Sequence, residues 1–187
     1  MAKLASKGSS SLTLSWNRIY GADGYDIFLA KGGKKNTPKL VKTIKGDKTI
    51  KWTKKSLKKK TAYKAYVRPW VMDGSKKVYG KKSPTVYACT SGSKAGYTAA
   101  KRVTVKKAKV SLKKGRTYTI KAGVIRLDKG KKLMPVRYAP KLRYLSSNKS
   151  VATVSKTGKI KAGKKGTCNV YVYAQNGVYR KIKIKVK

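Results

Sequence analysis

Acid–base or nucleophilic chemistry in this 187-residue chain could draw on five carboxylates, Asp23, Asp26, Asp47, Asp73 and Asp128, and on two thiols, Cys89 and Cys168. The sequence contains no His and no Glu. General acid–base catalysis needs a group that titrates near neutrality, or a carboxyl raised by its surroundings. Asp23, Asp47 and Asp73 each stand next to a glycine, which reads as turn chemistry, with Asp23-Gly24 tolerating positive φ. Asp23 and Asp26 form the one close pair, and they flank a single strand start instead of facing each other as glycoside hydrolysis requires. A Cys–His nucleophile cannot be assembled, and the sequence shows no metal-ligand cluster and no glycine-rich phosphate loop. The reading is a chain with no catalytic residue, no metal and no cofactor.

What remains is charge. Fifty Lys+Arg against five acids give +45, a balance that favours polyanionic partners and opposes self-association. Lys outnumbers Arg 42 to 8. Arg grips phosphates and base edges in a fixed fork, whereas Lys is a flexible point charge. Residues 1–92 carry 22 Lys+Arg and 4 Asp, and residues 93–187 carry 28 and 1. Local clusters fall at Lys34-Lys35, at Lys54-Lys55, at Lys58-Lys59-Lys60 and at Lys181, Lys183 and Lys185. A second feature is aromatic. In the strand around Tyr63, alternation turns Tyr63, Ala65 and Val67 inward and leaves Tyr66, Arg68 and Trp70 on the opposite face, where Phe28 joins them. Rings and cations on one sheet face could stack sugars or bases. More often such rings are half-covered by Lys stems.

The elements that position these residues read as strands throughout. SLTLSW alternates Leu12, Leu14 and Trp16 against Thr13 and Ser15, the period of a half-buried strand. YDIFLA follows with Tyr25, Ile27 and Leu29 on one face. TAYKAYVRPWVMDG is a long strand that turns at Asp73-Gly74 into a returning hairpin arm. KIKIKVK ends the chain with Ile182, Ile184 and Val186 inward and lysines outward. No segment has helical periodicity. The small, polar SGSKAG segment, Ser91–Gly96, marks a boundary between units of about 90 residues each. The predicted fold class is all-β, two tandem antiparallel β-sandwiches at 1–92 and 93–187. Cys168 shares parity with Val170 and Val172, which predicts a buried free thiol. Tyr171 and Tyr173 fall on the opposite face, as a packing pair at the sheet surface or between domains.

Both halves also resemble known families. SLTLSW with Trp16, the segment GADGYDIF, and Leu57 six residues before Tyr63 make the first half similar to bacterial fibronectin type III domains. The last of these resembles a tyrosine corner, in which the hydroxyl returns to nearby backbone. The second half carries VSLKKGRTYTI and then YLSSNKSVATVSKTGKIKAGKKGTCNVYV, and resembles bacterial immunoglobulin-like domains of group 2. Tyr144 stands where that family usually has Trp. The resemblance implies two tandem immunoglobulin-like antiparallel β-sandwiches outside a bacterial cell, at its surface or wall, within a longer secreted or attached protein. Met1-Ala-Lys accordingly reads as the start of an expressed fragment, with no secretory signal and no membrane-inserting run.

The function expected is that of a non-catalytic accessory or adhesion module held to an anionic cell-wall polymer, such as teichoic acid, or to another polyanion. The binding residues expected are Phe28, Tyr66, Arg68, Trp70, Lys54, Lys55, Lys58, Lys59, Lys60, Lys181, Lys183 and Lys185. A structural spacer, or a binder of a host glycan or host protein, is the alternative. Nucleic acid binding would be nonspecific.

Overall fold

Period-two alternation of apolar and polar residues builds the main core strands, as in β2, β17 and β19. The computed structural model describes residues 1–90 and 97–187, so the boundary expected at Ser91–Gly96 lies outside the described residues. The first half contains β1 (Ala2–Ser6), β2 (Leu12–Trp16), β3 (Gly24–Lys31), β4 (Lys39–Lys45), β5 (Lys51–Lys54), β6 (Ala62–Asp73), β7 (Lys76–Tyr79) and β8 (Val86–Cys89). They form a β1-β2-β5 sheet and a β4-β3-β6-β7 sheet, with β8 also paired to β6. Leu12, Leu14 and Trp16 pack against Tyr25, Ile27, Tyr63 and Val67 in one core. The Trp16 and Tyr25 rings meet edge to face at 5.3 Å. The Tyr63 hydroxyl accepts the Lys58 N–H at 3.1 Å, the backbone return expected of a tyrosine corner, and Leu57 lies against the same core. β1 has no counterpart in the sequence reading. Leu4 is its single large apolar residue, and the antiparallel pairing Leu4↔Leu14 is what buries it.

The second half contains β9 (Tyr97–Thr98), β10 (Ala100–Val105), β11 (Lys109–Leu112), β12 (Thr117–Thr119), β13 (Ala122–Arg126), β14 (Lys132–Leu133), β15 (Leu142–Ser146), β16 (Ala152–Val154), β17 (Lys159–Ala162), β18 (Gly166–Ala174) and β19 (Tyr179–Val186). Its main sheet runs β11-β19-β18-β15 and faces a β12-β17-β16 sheet. Val170, Val172, Ile160, Ile182 and Ile184 are all 0 % exposed in the shared core. The antiparallel expectation holds for most pairs. β11 and β19, and also β9 and β14, are parallel. β10 pairs with β13, so the chain changes sheets through Lys106–Ala108 and lays β11 alongside the last strand. The Tyr144 ring lies against Gly158, whose φ is +85°. That turn therefore needs glycine both for its left-handed backbone and for space.

The halves meet at the β18–β19 turn. Gln175 and Asn176 are buried there. The Leu4 N–H donates to the Asn176 carbonyl at 3.0 Å, and the Tyr87 N–H to the Gln175 carbonyl at 2.9 Å. The Gln175 amide donates to the Met134 and Ala139 carbonyls, and the Asn176 amide to Ala100. Gly177 has φ +88°, and a Cβ there would collide with the Ala2 carbonyl.

Candidate anion-binding surface

β3 and β6 pair in the register Gly24↔Trp70, Asp26↔Arg68 and Phe28↔Tyr66, which puts Phe28, Tyr66, Arg68 and Trp70 on one outer face as parity predicts. The rings are not free, however. Phe28 and Tyr66 stack on each other at 4.6 Å, and the Lys82 ammonium lies 5.1 Å above Tyr66. The Arg68 guanidinium lies 4.4 Å over Tyr79, and its Nε donates to the Gly80 carbonyl. Trp70 corrects the sequence reading most. It is 5 % exposed, seated on Gly24 and capped by Lys77 at 4.6 Å. β7 pairs beside β6 in the same sheet and brings Lys77 and Tyr79 to this end of the face, so cations already occupy ring faces that a sugar or base would need. Gly24 is also read differently. Its φ is not positive, and it is glycine because the indole fills the space of a side chain.

Under this ladder lies Asp26, fully buried on the sheet's outer face. The Tyr79 hydroxyl donates to it at 2.6 Å, Thr43 at 2.7 Å, and the Lys77 ammonium to both oxygens at 3.2 Å. Burial by itself pushes this carboxyl up. The hydrogen bonds from Tyr79, Thr43 and Lys77, with the Lys77 charge, outweigh it and hold the group below the usual carboxylate range. The same contact, together with burial, raises the Tyr79 phenol. Sequence pattern missed Asp26 because alternation placed it outward, in solvent. Asp23 and Asp47 likewise do more than form turns. Asp23 accepts the Met72 N–H at 2.7 Å, and Asp47 takes both nitrogens of an Arg18 fork at 2.9 and 3.0 Å.

The lysines stand as expected. Lys54, Lys55, Lys58, Lys59 and Lys60 are exposed around the β5–β6 connection, and Lys181, Lys183 and Lys185 are exposed along β19. These two groups lie in different halves. Tyr173 is buried at the junction, the interdomain one of the two packing sites expected for it. It packs with Tyr171 and Tyr179, its hydroxyl reaches Met1 Sδ at 2.9 Å, and burial raises its phenol. Cys168 is buried and free, and Cys89 is half-buried. Burial pushes both thiols up, which suppresses thiolate chemistry.

The second half, with its Thr-Gly turn under Tyr144 and Val/Cys face on β18, has a counterpart in sequence comparison. Residues 99–184 match the bacterial Ig-like domain (group 2). No curated protein matches the chain. Among solved structures, the third fibronectin III domain of the human KIAA0343 protein is 20% identical and covers 50% of this chain and 81% of its own, at a TM-score of 0.39. A C-terminal fragment of intimin, solved with the intimin-binding domain of the translocated intimin receptor, is 15% identical at a TM-score of 0.37. This chain is covered over 99% of its length and spans 62% of that fragment.

Proposed function

We propose that the chain is a non-catalytic pair of sandwiches from the surface or wall of a bacterial cell, a fibronectin type III-like unit over 1–92 followed by an immunoglobulin-like unit over 93–187. It attaches to anionic polymers through its lysines. One observation carries the reading. The sequence holds 50 Lys+Arg, while three ion pairs join charged side chains among the described residues, at Arg18–Asp47, Lys77–Asp26 and Lys131–Asp128. Almost all of the positive charge therefore lacks an internal counter-charge and faces solvent. A polymer that neutralises many of these charges at once releases condensed counterions, so its affinity falls steeply with salt. Stacking on the aromatic face is the weaker reading, because Lys77, Lys82 and Arg68 cap the rings.

The test is sedimentation of the protein with bacterial walls, intact or stripped of their anionic polymers, across a salt series. Binding that disappears with the polymers and declines with salt is expected. Salt-independent binding, or none at low salt, overturns the proposal.

A further inference from the structure

β19 is a central strand, flanked by β11 and β18. Lysine is common on edge strands, where it blocks pairing with other chains. That role does not account for a lysine row on an interior strand. Lys181, Lys183 and Lys185 project from one face while Ile182, Ile184 and Val186 fill the core behind them. Alternate residues of a strand recur about every 6.7 Å, so the row presents evenly spaced cations in a straight line. Its cross-strand neighbours are Tyr171, Asn169 and Thr167 on β18, and Lys109 and Ser111 on β11. None is acidic. Asp128, the one carboxylate side chain of residues 93–187, is engaged 3.4 Å from Lys131. Lys109 stands directly opposite Lys183, an arrangement of like charges that costs stability.

We propose that this row is a track for a linear phosphodiester chain laid along β19, a deepening that rests on the polyanion reading above. The cations are ammonium groups, which attract phosphates as point charges without demanding the planar fork geometry of a guanidinium. Tyr171 borders the row beside Lys181 and Lys109 adds a cation beside Lys183, while the short Ser111, Thr167 and Asn169 leave it open around Lys185 and on the β18 side of Lys183. They offer hydroxyl and amide groups instead of a pocket that could read a side group. The track therefore recognises backbone charge, and the substituent on each repeat is left in solvent.

The experiment measures binding of the full chain to a poly(glycerol phosphate) chain and to oligo-dT, from 50 to 200 mM salt. A triple variant, K181Q/K183Q/K185Q, is compared with K7Q/K121Q/K156Q, which has the same net charge but changes scattered lysines. Each phosphate contact contributes about 0.7 to the log–log salt slope for a single strand. Loss of the row should thus reduce that slope by about 2 and weaken binding at 50 mM salt, and the scattered variant should keep the parent slope. Equal losses in both variants overturn the track while leaving general polyanion attachment standing. Absence of binding by the parent overturns both. The probe bound tighter at 200 mM salt identifies the source of the phosphodiester, and a polyuronate that shows the same dependence on the row overturns its assignment to phosphodiesters.

Discussion

The guanidinium carbon of Arg143, on β15, lies 5.5 Å from the centre of the Tyr87 ring on β8. Its Nε and Nη2 are buried without a hydrogen-bond acceptor among the described residues. Burial lowers its affinity for the proton, and no carboxylate answers it. A desolvated cation–π contact contributes about 2 kcal/mol, while the cost of desolvating an unpaired ion is several kcal/mol. The second effect is the larger. Arg143→Met, which keeps the stem's volume, should therefore hold or raise the melting temperature, with a gain on the order of 1 kcal/mol. A clear fall in calorimetry would show that the ring contact dominates.

Gly177 is the strictest position in the junction. Alanine there must adopt a left-handed φ and displace the Ala2 carbonyl and Val86. Strain and overpacking each cost about 1–3 kcal/mol. Gly177→Ala should lose at least 2 kcal/mol in urea titration and deprotect the Leu4 and Tyr87 amides in hydrogen exchange. Unchanged protection at both amides would show that the turn does not hold the halves together.

Asp26 gives the first half a pH window. Its folded carboxyl is depressed relative to the ordinary Asp value of about 3.9. The associated stability is therefore present above about pH 4 and is lost as pH falls through the folded value. Tyr79 has the opposite sign, raised above its ordinary value of about 10, so its contribution is present below that and is lost as pH rises through the folded value. Denaturant midpoints should plateau between about pH 4 and 10, and Asp26→Asn should flatten the acid limb.

Tyr63→Phe removes the acceptor for the Lys58 N–H but keeps the ring in the core. A loss of about 1–2 kcal/mol is expected in urea titration. A neutral result would mean that water satisfies that amide equally well.

Parity in the sequence placed Tyr25, Ile27 and Leu29, Tyr63, Ala65 and Val67, and Cys168, Val170 and Val172 inward, and all are buried. Alternation depends on the chain's own neighbours, so it can be read locally. The cover on Trp70 cannot, because Lys77 and Tyr79 reach it from another strand. Asp26 escaped for the same reason, its partners being Thr43, Lys77 and Tyr79. The junction was legible in the Tyr171–Tyr173 pair alone, because the hydrogen bonds that close it join backbone groups of Leu4, Tyr87, Gln175 and Asn176, which leave no mark in residue type. The lysines were legible as charge, but their alignment on a central strand depends on strand order.

The hydrogen bonds of the Gln175–Gly177 turn also bear on the order of assembly. The N–H groups of Leu4 and Tyr87 that donate to it, and the Ala2 and Val86 it packs against, are synthesised well before it. Domains generally fold as units, N-terminal first, during synthesis. The tip of the β18–β19 hairpin would then close last, on a surface already formed. The first sandwich would act as a template for the second, and a defect in β1 would delay folding of residues more than 170 positions downstream.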